Sequence, residues 1–92
     1  MYQVNEIERK ELMIIKILGI GCAKCEMLEK TVREVVEELS VEATIEHVKD
    51  MKKIMEYPIL ITPGLVIDDN LVCSGKVPSR VEVTTYLTNA MS

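Results

Sequence analysis

Aromatic residues are nearly absent from this 92-residue sequence, which contains three Tyr, no Phe and no Trp. Its core must therefore be built from Ile, Val, Leu and Met, since 48% of the residues are apolar. A block of basic charge is also lacking: the net charge is −4, and acidic and basic residues are interleaved. Because nucleic-acid binding depends on a stripe of Lys and Arg, we expect no nucleic-acid partner.

A membrane-spanning run is missing as well, because the longest apolar stretch, residues 12–21, falls short of the roughly 20 residues of a transmembrane helix. This stretch follows Arg9-Lys10 and leads to Cys22, which is the outline of a signal or lipoprotein segment. Lys16 interrupts the stretch, and nearby glutamates spoil the basic region before it. We therefore expect a cytoplasmic protein without a membrane partner.

Cysteine is scarce, with three residues in the chain. A small and odd number of cysteines does not make the disulfide framework of a secreted domain, and it favours a reducing compartment. The length suits one domain with a modest core. We predict a polar leader at residues 1–10 and a single domain at residues 11–92.

Hydrophobic spacing predicts three elements in the first half of the chain. The almost continuous apolar run Leu12–Leu18 is typical of a strand buried on both faces. Apolar residues three and four positions apart predict a helix over Ala23–Ser40. An alternating pattern over Ala43–Val48 predicts a second, short strand.

The second half of the chain predicts four more elements. Helical spacing over Lys49–Tyr57 ends at Pro58, which cannot continue a helix. The runs Leu65–Ile67 and Leu71–Cys73, joined by turn residues, predict a β-hairpin. A capping box at Ser79–Glu82 starts a last helix. The order β-α-β-α-β-β-α predicts an α/β fold, with a four-stranded mixed sheet flanked by three helices.

The sequence GIGCAKC places Cys22 and Cys25 at the start of the first predicted helix. Unpaired amides at a helix N-terminus favour a thiolate, so we expect the thiol of Cys22 to be acidic. Cys25 lies within one turn and can close a small disulfide with it, and Lys24 adds a cation that would lower a thiol pKa further. In thiol-disulfide exchange, Cys22 would be the nucleophile and Cys25 the resolving thiol.

Together with Thr62-Pro63-Gly64 before the hairpin and Gly75 after it, this motif resembles the thioredoxin fold, in particular the small thioredoxin- or glutaredoxin-like redox-active disulfide proteins of archaea and anaerobic bacteria. The resemblance covers about Leu12–Leu87. It implies that Pro63 is cis and packs against the dicysteine site, and that the backbone of Thr62 pairs with the substrate. It also implies a thiol-disulfide oxidoreductase that reduces target protein disulfides with electrons from a separate disulfide reductase.

The sequence departs from the thioredoxin pattern Trp-Cys-Gly-Pro-Cys in and around the motif. Gly21 replaces the tryptophan and Ala23-Lys24 replace Gly-Pro, so reduction potential and partner choice do not carry over. The buried acid that assists the resolving cysteine in thioredoxins is missing, because Lys16 occupies the position six residues before Cys22. Either the thiol of Cys25 is deprotonated in another way or Lys16 faces away from it.

Other functions for the two cysteines stay open. GxxCxxC also resembles the heavy-metal-associated domain of copper chaperones, whose two thiolates bind Cu(I), although that domain ends in a strand. A redox-regulated binding module without turnover is a third hypothesis. A structural zinc site would need Cys73 and His47, which lie at no recognised zinc spacing.

The remaining candidates receive structural interpretations. Cys73 is expected to pack as a small strand residue, and His47 to be a solvated or capping histidine. Three methionines at helical positions are interpreted as core or near-site packing, namely Met27, Met51 and Met55. We expect a monomer with no metal and no bound cofactor, whose redox group is the disulfide between Cys22 and Cys25.

Overall fold

A computed structural model of the chain describes residues 13–21, 23–59 and 61–91. The predicted leader, residues 1–10, lies outside these ranges, and so does Cys22. Within them the helices and strands follow the predicted order β-α-β-α-β-β-α.

A four-stranded mixed sheet has the strand order β2-β1-β3-β4. The strands are β1 Met13–Leu18, β2 Ala43–Val48, β3 Gly64–Ile67 and β4 Asn70–Ser74. β1 pairs in parallel with β2 and antiparallel with β3, and β3 pairs antiparallel with β4. The hairpin turn is Asp68-Asp69, with positive φ angles of 50° and 70°. Such angles suit a two-residue hairpin because they match the twist of the strands.

The helices of the described chain are α1 Ala23–Leu39, α2 Met51–Ile54 and α3 Arg80–Met91. The predicted capping box forms at the start of α3: the backbone N–H of Glu82 donates to Ser79 Oγ at 3.2 Å, and Glu82 Oε1 accepts from the backbone N–H of Ser79 at 3.0 Å. Arg80 contacts Glu34 and Glu38 of α1, which ties the two long helices together. No helix among the described residues is long and apolar enough to cross a membrane.

Apolar clusters cover both faces of the sheet, because alternate residues of a strand point to opposite sides. The larger cluster lies under α1 and α3, and its buried members are Met13, Ile15, Ile17, Cys25, Leu28, Val32, Val35, Leu65, Ile67, Val83 and Leu87. The smaller cluster includes α2 and consists of Leu18, Val48, Ile54 and Val66. Cys25 therefore belongs to the larger core.

The second helix is shorter than the predicted Lys49–Tyr57. The carboxylate of Asp50 caps its start by accepting from the backbone N–H of Lys52 at 2.9 Å, and the helix ends at Ile54. Ile54 is the only buried residue of this helix, and it is the helix's one contribution to the buried residues of the smaller cluster. Of the three residues whose helical spacing predicted a longer helix, Met51 and Met55 are exposed and Ile54 alone is packed.

Two further expectations about burial are wrong. Met27, Met51 and Met55 are exposed, by 58%, 48% and 72% respectively, so the core alternative of the two given for these methionines is wrong. β1 is not buried on both faces along its whole length, because Ile14 is 44% exposed. The smaller cluster covers only the end of β1 that carries Leu18.

Candidate active site at the start of the first helix

Cys25 lies in the first turn of α1 and is fully buried, whereas Ala23 and Lys24 beside it are exposed. Its sulfur packs directly on Gly19, just after β1. A Cβ added at Gly19 would overlap Cys25 Sγ and would lie 3.9 Å from the Cβ of Thr62. The absence of a side chain at Gly19 therefore leaves space for the sulfur of Cys25. Gly19 also lies between α1 and the segment before β3.

The segment before β3 faces this glycine. The peptide bond between Thr62 and Pro63 is cis, as the resemblance implied. Pro63 is buried and Thr62 is exposed. The carbonyl of Pro63 accepts from the backbone N–H of Gly75 at 2.8 Å, which links the segment to the end of β4. Residues distant in the sequence thus meet at one end of the sheet.

Two exposed isoleucines flank this meeting point. Ile20 precedes the cysteine motif and is 62% exposed, and Ile61 precedes Thr62 and is 64% exposed. A Cβ built at Gly75 would lie 3.6 Å from two carbon atoms of Ile61, so this side chain rests against the turn after β4. The sequence reasoning did not single out either isoleucine, because isolated apolar residues in loops carry no pattern.

A lysine that the sequence reasoning missed lies beside the motif. A Cβ built at Gly21, whose φ is 86°, would lie 3.9 Å from Cε and 4.0 Å from Nζ of Lys49. Cys22 is the residue bonded to Gly21. Lys24, the lysine chosen from the sequence, is an exposed residue of the first helical turn. Because β1 and β2 are parallel, the residues that follow these two strands lie at the same edge of the sheet. Lys49 follows β2, so the sheet topology, and not a sequence spacing from the cysteines, is what could have identified this lysine.

Lys16 faces away from Cys25, which resolves one of the two alternatives left by the sequence. It alternates along β1 with Ile15 and Ile17, which share the larger cluster with Cys25. Its Nζ donates to the hydroxyl of Tyr57 at 3.2 Å on the other side of the sheet. This hydrogen bond is the main reason why the pKa of Lys16 is raised.

His47 is neither solvated nor a helix cap, contrary to the sequence-based expectation. Its Nδ1 lies 3.1 Å from Glu29 Oε1 of α1, and the two side chains are only 14% and 26% exposed. Arg33 donates from Nη2 to Glu29 Oε2 at 2.8 Å. The hydrogen bond from Arg33, followed by that from His47, lowers the pKa of Glu29. The carboxylate is thus ionised at neutral pH.

Cys73 is half-buried and packs against the larger cluster from β4, as predicted. It contacts Tyr86 of α3: burial, and then the charge and hydrogen bond of this thiol, raise the pKa of the Tyr86 hydroxyl. Within the described ranges, no three Cys, His, Asp or Glu side chains come close enough to hold a metal ion. Cys73 and His47 therefore do not form part of such a group there.

The sequence of the chain is similar to those of known proteins. A family model described as a thioredoxin domain matches residues 13–88. The chain is 43% identical over 76 residues to the thioredoxin of Methanothermobacter thermautotrophicus, an alignment that covers 83% of this chain and 99% of the relative. It is 40% identical over 76 residues to the thioredoxin of Methanocaldococcus jannaschii, covering 83% of this chain and 87% of the relative.

Proposed function

Because this chain belongs to the thioredoxin domain family and is a thiol-disulfide oxidoreductase, we propose that it reduces protein disulfides by cycling Cys22 and Cys25 between dithiol and disulfide. The observation that carries this proposal is the packing of Cys25. Its sulfur is buried against Gly19, and a Cβ built at Gly19 would lie 3.9 Å from the Cβ of Thr62, the residue before the cis Pro63. A buried thiol in the first turn of a helix is protected from most reagents but can react with a neighbour three residues earlier.

The reaction proceeds in two exchanges of sulfur bonds. The Cys22 thiolate attacks one sulfur of the target disulfide, forms a mixed disulfide and releases the other target sulfur as a thiolate. The Cys25 thiolate then attacks the sulfur of Cys22, which forms the Cys22–Cys25 disulfide and releases the second target thiolate. The target gains two electrons and two protons, and the protein loses them.

Three features of the site support these roles. The first amides of α1 and the positive end of its dipole favour a thiolate at Cys22, the residue before Ala23. Lys24 and Lys49 add positive charge near it. The exposed Thr62 offers backbone groups to an extended target segment, in the manner of an added strand, while Ile20 and Ile61 provide apolar contact area on either side.

The proposed cycle needs no bound cofactor or metal, because the disulfide itself stores the two electrons. A separate disulfide reductase regenerates the dithiol, and target protein disulfides oxidise it. We propose that the protein acts as a monomeric, cytoplasmic electron carrier between these partners. The fold supports this role over copper transfer, since the chain has a late hairpin followed by α3, whereas the copper-chaperone domain ends in a strand.

The test is the reduction of a protein disulfide by single-cysteine variants. Cys22→Ser should abolish reduction, because the attacking thiolate is gone. Cys25→Ser should form a mixed disulfide with the target and retain it, since the resolving thiol is gone. The matched control is Cys73→Ser, which should keep full activity. Full activity of Cys22→Ser, or one tightly bound Cu(I) per chain in the protein as isolated, would contradict the proposal.

A further inference from the structure

The contact between Glu29 and His47 has the arrangement of a base held by a carboxylate. Glu29 Oε1 lies 3.1 Å from His47 Nδ1, and Arg33 holds the other carboxylate oxygen. An ionised carboxylate can only accept a hydrogen bond. The contact therefore places a proton on Nδ1 of His47, so that whenever the imidazole is neutral its lone pair is on Nε2.

The Nε2 atom of His47 is buried and has no hydrogen-bond partner in the described part of the chain. Leaving a buried polar atom unpaired is energetically unfavourable, and such atoms in native proteins call for an explanation, of which a catalytic role is one. The other polar atoms of this contact do have partners, since Nδ1 of His47 contacts Glu29 and Glu29 also accepts from Arg33. The unpaired atom is therefore the one through which a base would act.

His47 and Glu29 lie on the same side of the sheet as Cys25. His47 is the register partner of Ile17, and Ile17 belongs with Cys25 to the larger cluster. Glu29 follows Cys25 by four residues on α1, which places their Cβ atoms about 5–6 Å apart on one helix face. Glu29 thus lies on the same helix as the resolving thiol, one turn further along, whereas Lys16 lies on the opposite face of the sheet.

We propose that His47, oriented by Glu29, accepts the proton of the Cys25 thiol in the resolving step, directly or through one water. The proposal rests on the function proposed above. The S–H bond of Cys25 breaks and its proton passes to Nε2. The thiolate then attacks the sulfur of Cys22 in the mixed disulfide, the bond to the target sulfur breaks, and the target leaves with the electron pair and takes a proton from solvent. Glu29 is a positioning residue in this step.

Other charged groups surround the pair. Glu26, Lys30 and Arg33 belong to the same helix, and all three line the groove beside Glu29. From β2, Glu46 alternates with His47 and points to the other face, and Lys49 follows two residues after His47. β1 contributes the uncharged Ile17 on this side. A single substitution of Glu29 or of His47 leaves these neighbouring charged residues in place.

The experiment is a stopped-flow reaction of the reduced protein with an aromatic disulfide that releases a coloured thiol, 5,5′-dithiobis(2-nitrobenzoate), in a Cys73→Ala background. The first release reports attack by Cys22 and the second reports attack by Cys25 on the mixed disulfide. Near neutral pH, His47→Gln and Glu29→Gln should slow the second release by about tenfold, the effect of one unit in the effective pKa of the thiol. The first release should change by less than about twofold.

The pH profile separates a base from a structural role. Above about pH 9, where a free thiol ionises without help, both variants should regain the wild-type rate. Glu37→Gln, on an exposed position of the same helix, should match the wild type throughout. Slowing that is the same at every pH, or no slowing in either variant, would overturn the inference while leaving the proposed function intact. Loss of the first release in the parent protein would overturn the proposed function and this inference with it.

Discussion

At the scale of single residues, the site depends on a glycine that gives space to a sulfur atom. Gly19 has no side chain, and the Sγ of Cys25 occupies the space that a Cβ at Gly19 would need. Gly21 serves a different purpose: its φ of 86° is a backbone conformation that other residues adopt only with strain. One glycine is required by packing and the other by the path of the chain.

Substitution of each glycine by alanine separates these two effects. Gly19→Ala should lower the free energy of unfolding by about 1–3 kcal/mol, the usual cost of an overpacked core, and should also slow the second release in the stopped-flow assay. Gly21→Ala should cost about 1–2 kcal/mol through its positive φ alone, since the added Cβ meets no atom closer than 3.9 Å. Urea unfolding measures both. A Gly19→Ala protein as stable as the wild type would show that Cys25 moves aside freely.

The lysines near the motif give a second prediction at this scale. Lys49→Met should slow alkylation of Cys22 by about twofold near neutral pH, because a cation beside a thiol favours the thiolate, and added salt should reduce the difference. Lys53→Met is the matched control from the same segment. Iodoacetamide labelling followed by peptide mass analysis measures the rate at Cys22 alone. An equal effect of Lys53→Met would show that net charge, and not position, sets the rate.

The residues of the site differ in how far the sequence could identify them. Cys22 and Cys25 were predicted because their spacing and the helix that follows are local features. Lys49 and the pairing of His47 with Glu29 were missed, since both depend on the parallel pairing of β1 with β2. A histidine in an alternating strand gives no sign of the helix that will cover it.

At the scale of helices and strands, local signals were reliable where they included a cap or a turn. α3 begins where the capping box placed it, and β2 has its predicted bounds. The predicted length of α2 is wrong because two of the three residues in its helical spacing are exposed methionines, whereas its actual start is fixed by the side chain of Asp50. Apolar spacing without a cap does not define the length of a helix.

The cap of α3 can be tested on its own. Ser79→Ala removes the hydroxyl that accepts from the backbone N–H of Glu82, so the free energy of unfolding should fall by about 1 kcal/mol. The control is Thr85→Ala within the same helix, whose hydroxyl donates to a carbonyl that is already bonded in the helix. Thr85→Ala should change stability by less than about 0.5 kcal/mol. Equal losses in the two variants would contradict the role of the cap.

At the scale of the whole molecule, the two faces of the sheet have different tasks. The face under α1 and α3 holds the larger core, Cys25 and the pair of Glu29 with His47. The opposite face carries the smaller core and Lys16 with Tyr57. In the mechanism proposed above, redox chemistry and proton transfer would therefore share one side of the sheet, and a target would approach at the end near Thr62.

Acid unfolding tests how the pair holds the helix to the sheet. The pKa of Glu29 is lowered from its ordinary value of 4.5 in the folded state, so its carboxylate stabilises the protein above that pH and the stabilisation is lost as the pH falls through the lower, folded value. Glu29→Gln should thus be less stable than the wild type at neutral pH, and the difference should shrink by about pH 3. Urea unfolding at the two pH values measures it, with Glu37→Gln as the control that should show no such change.

The central claim is that Cys22 and Cys25 form one redox couple, and a redox titration tests it most directly. The protein is equilibrated across a series of thiol-disulfide buffers, free thiols are alkylated, and the peptides are identified by mass. We expect Cys22 and Cys25 to change together in one two-electron transition with the loss of two hydrogens, while Cys73 stays alkylated throughout. A midpoint near −270 mV would suit a general reductant and one near −120 mV an oxidant. Two thiols that stay reduced across the whole series, or that oxidise independently of each other, would contradict the claim.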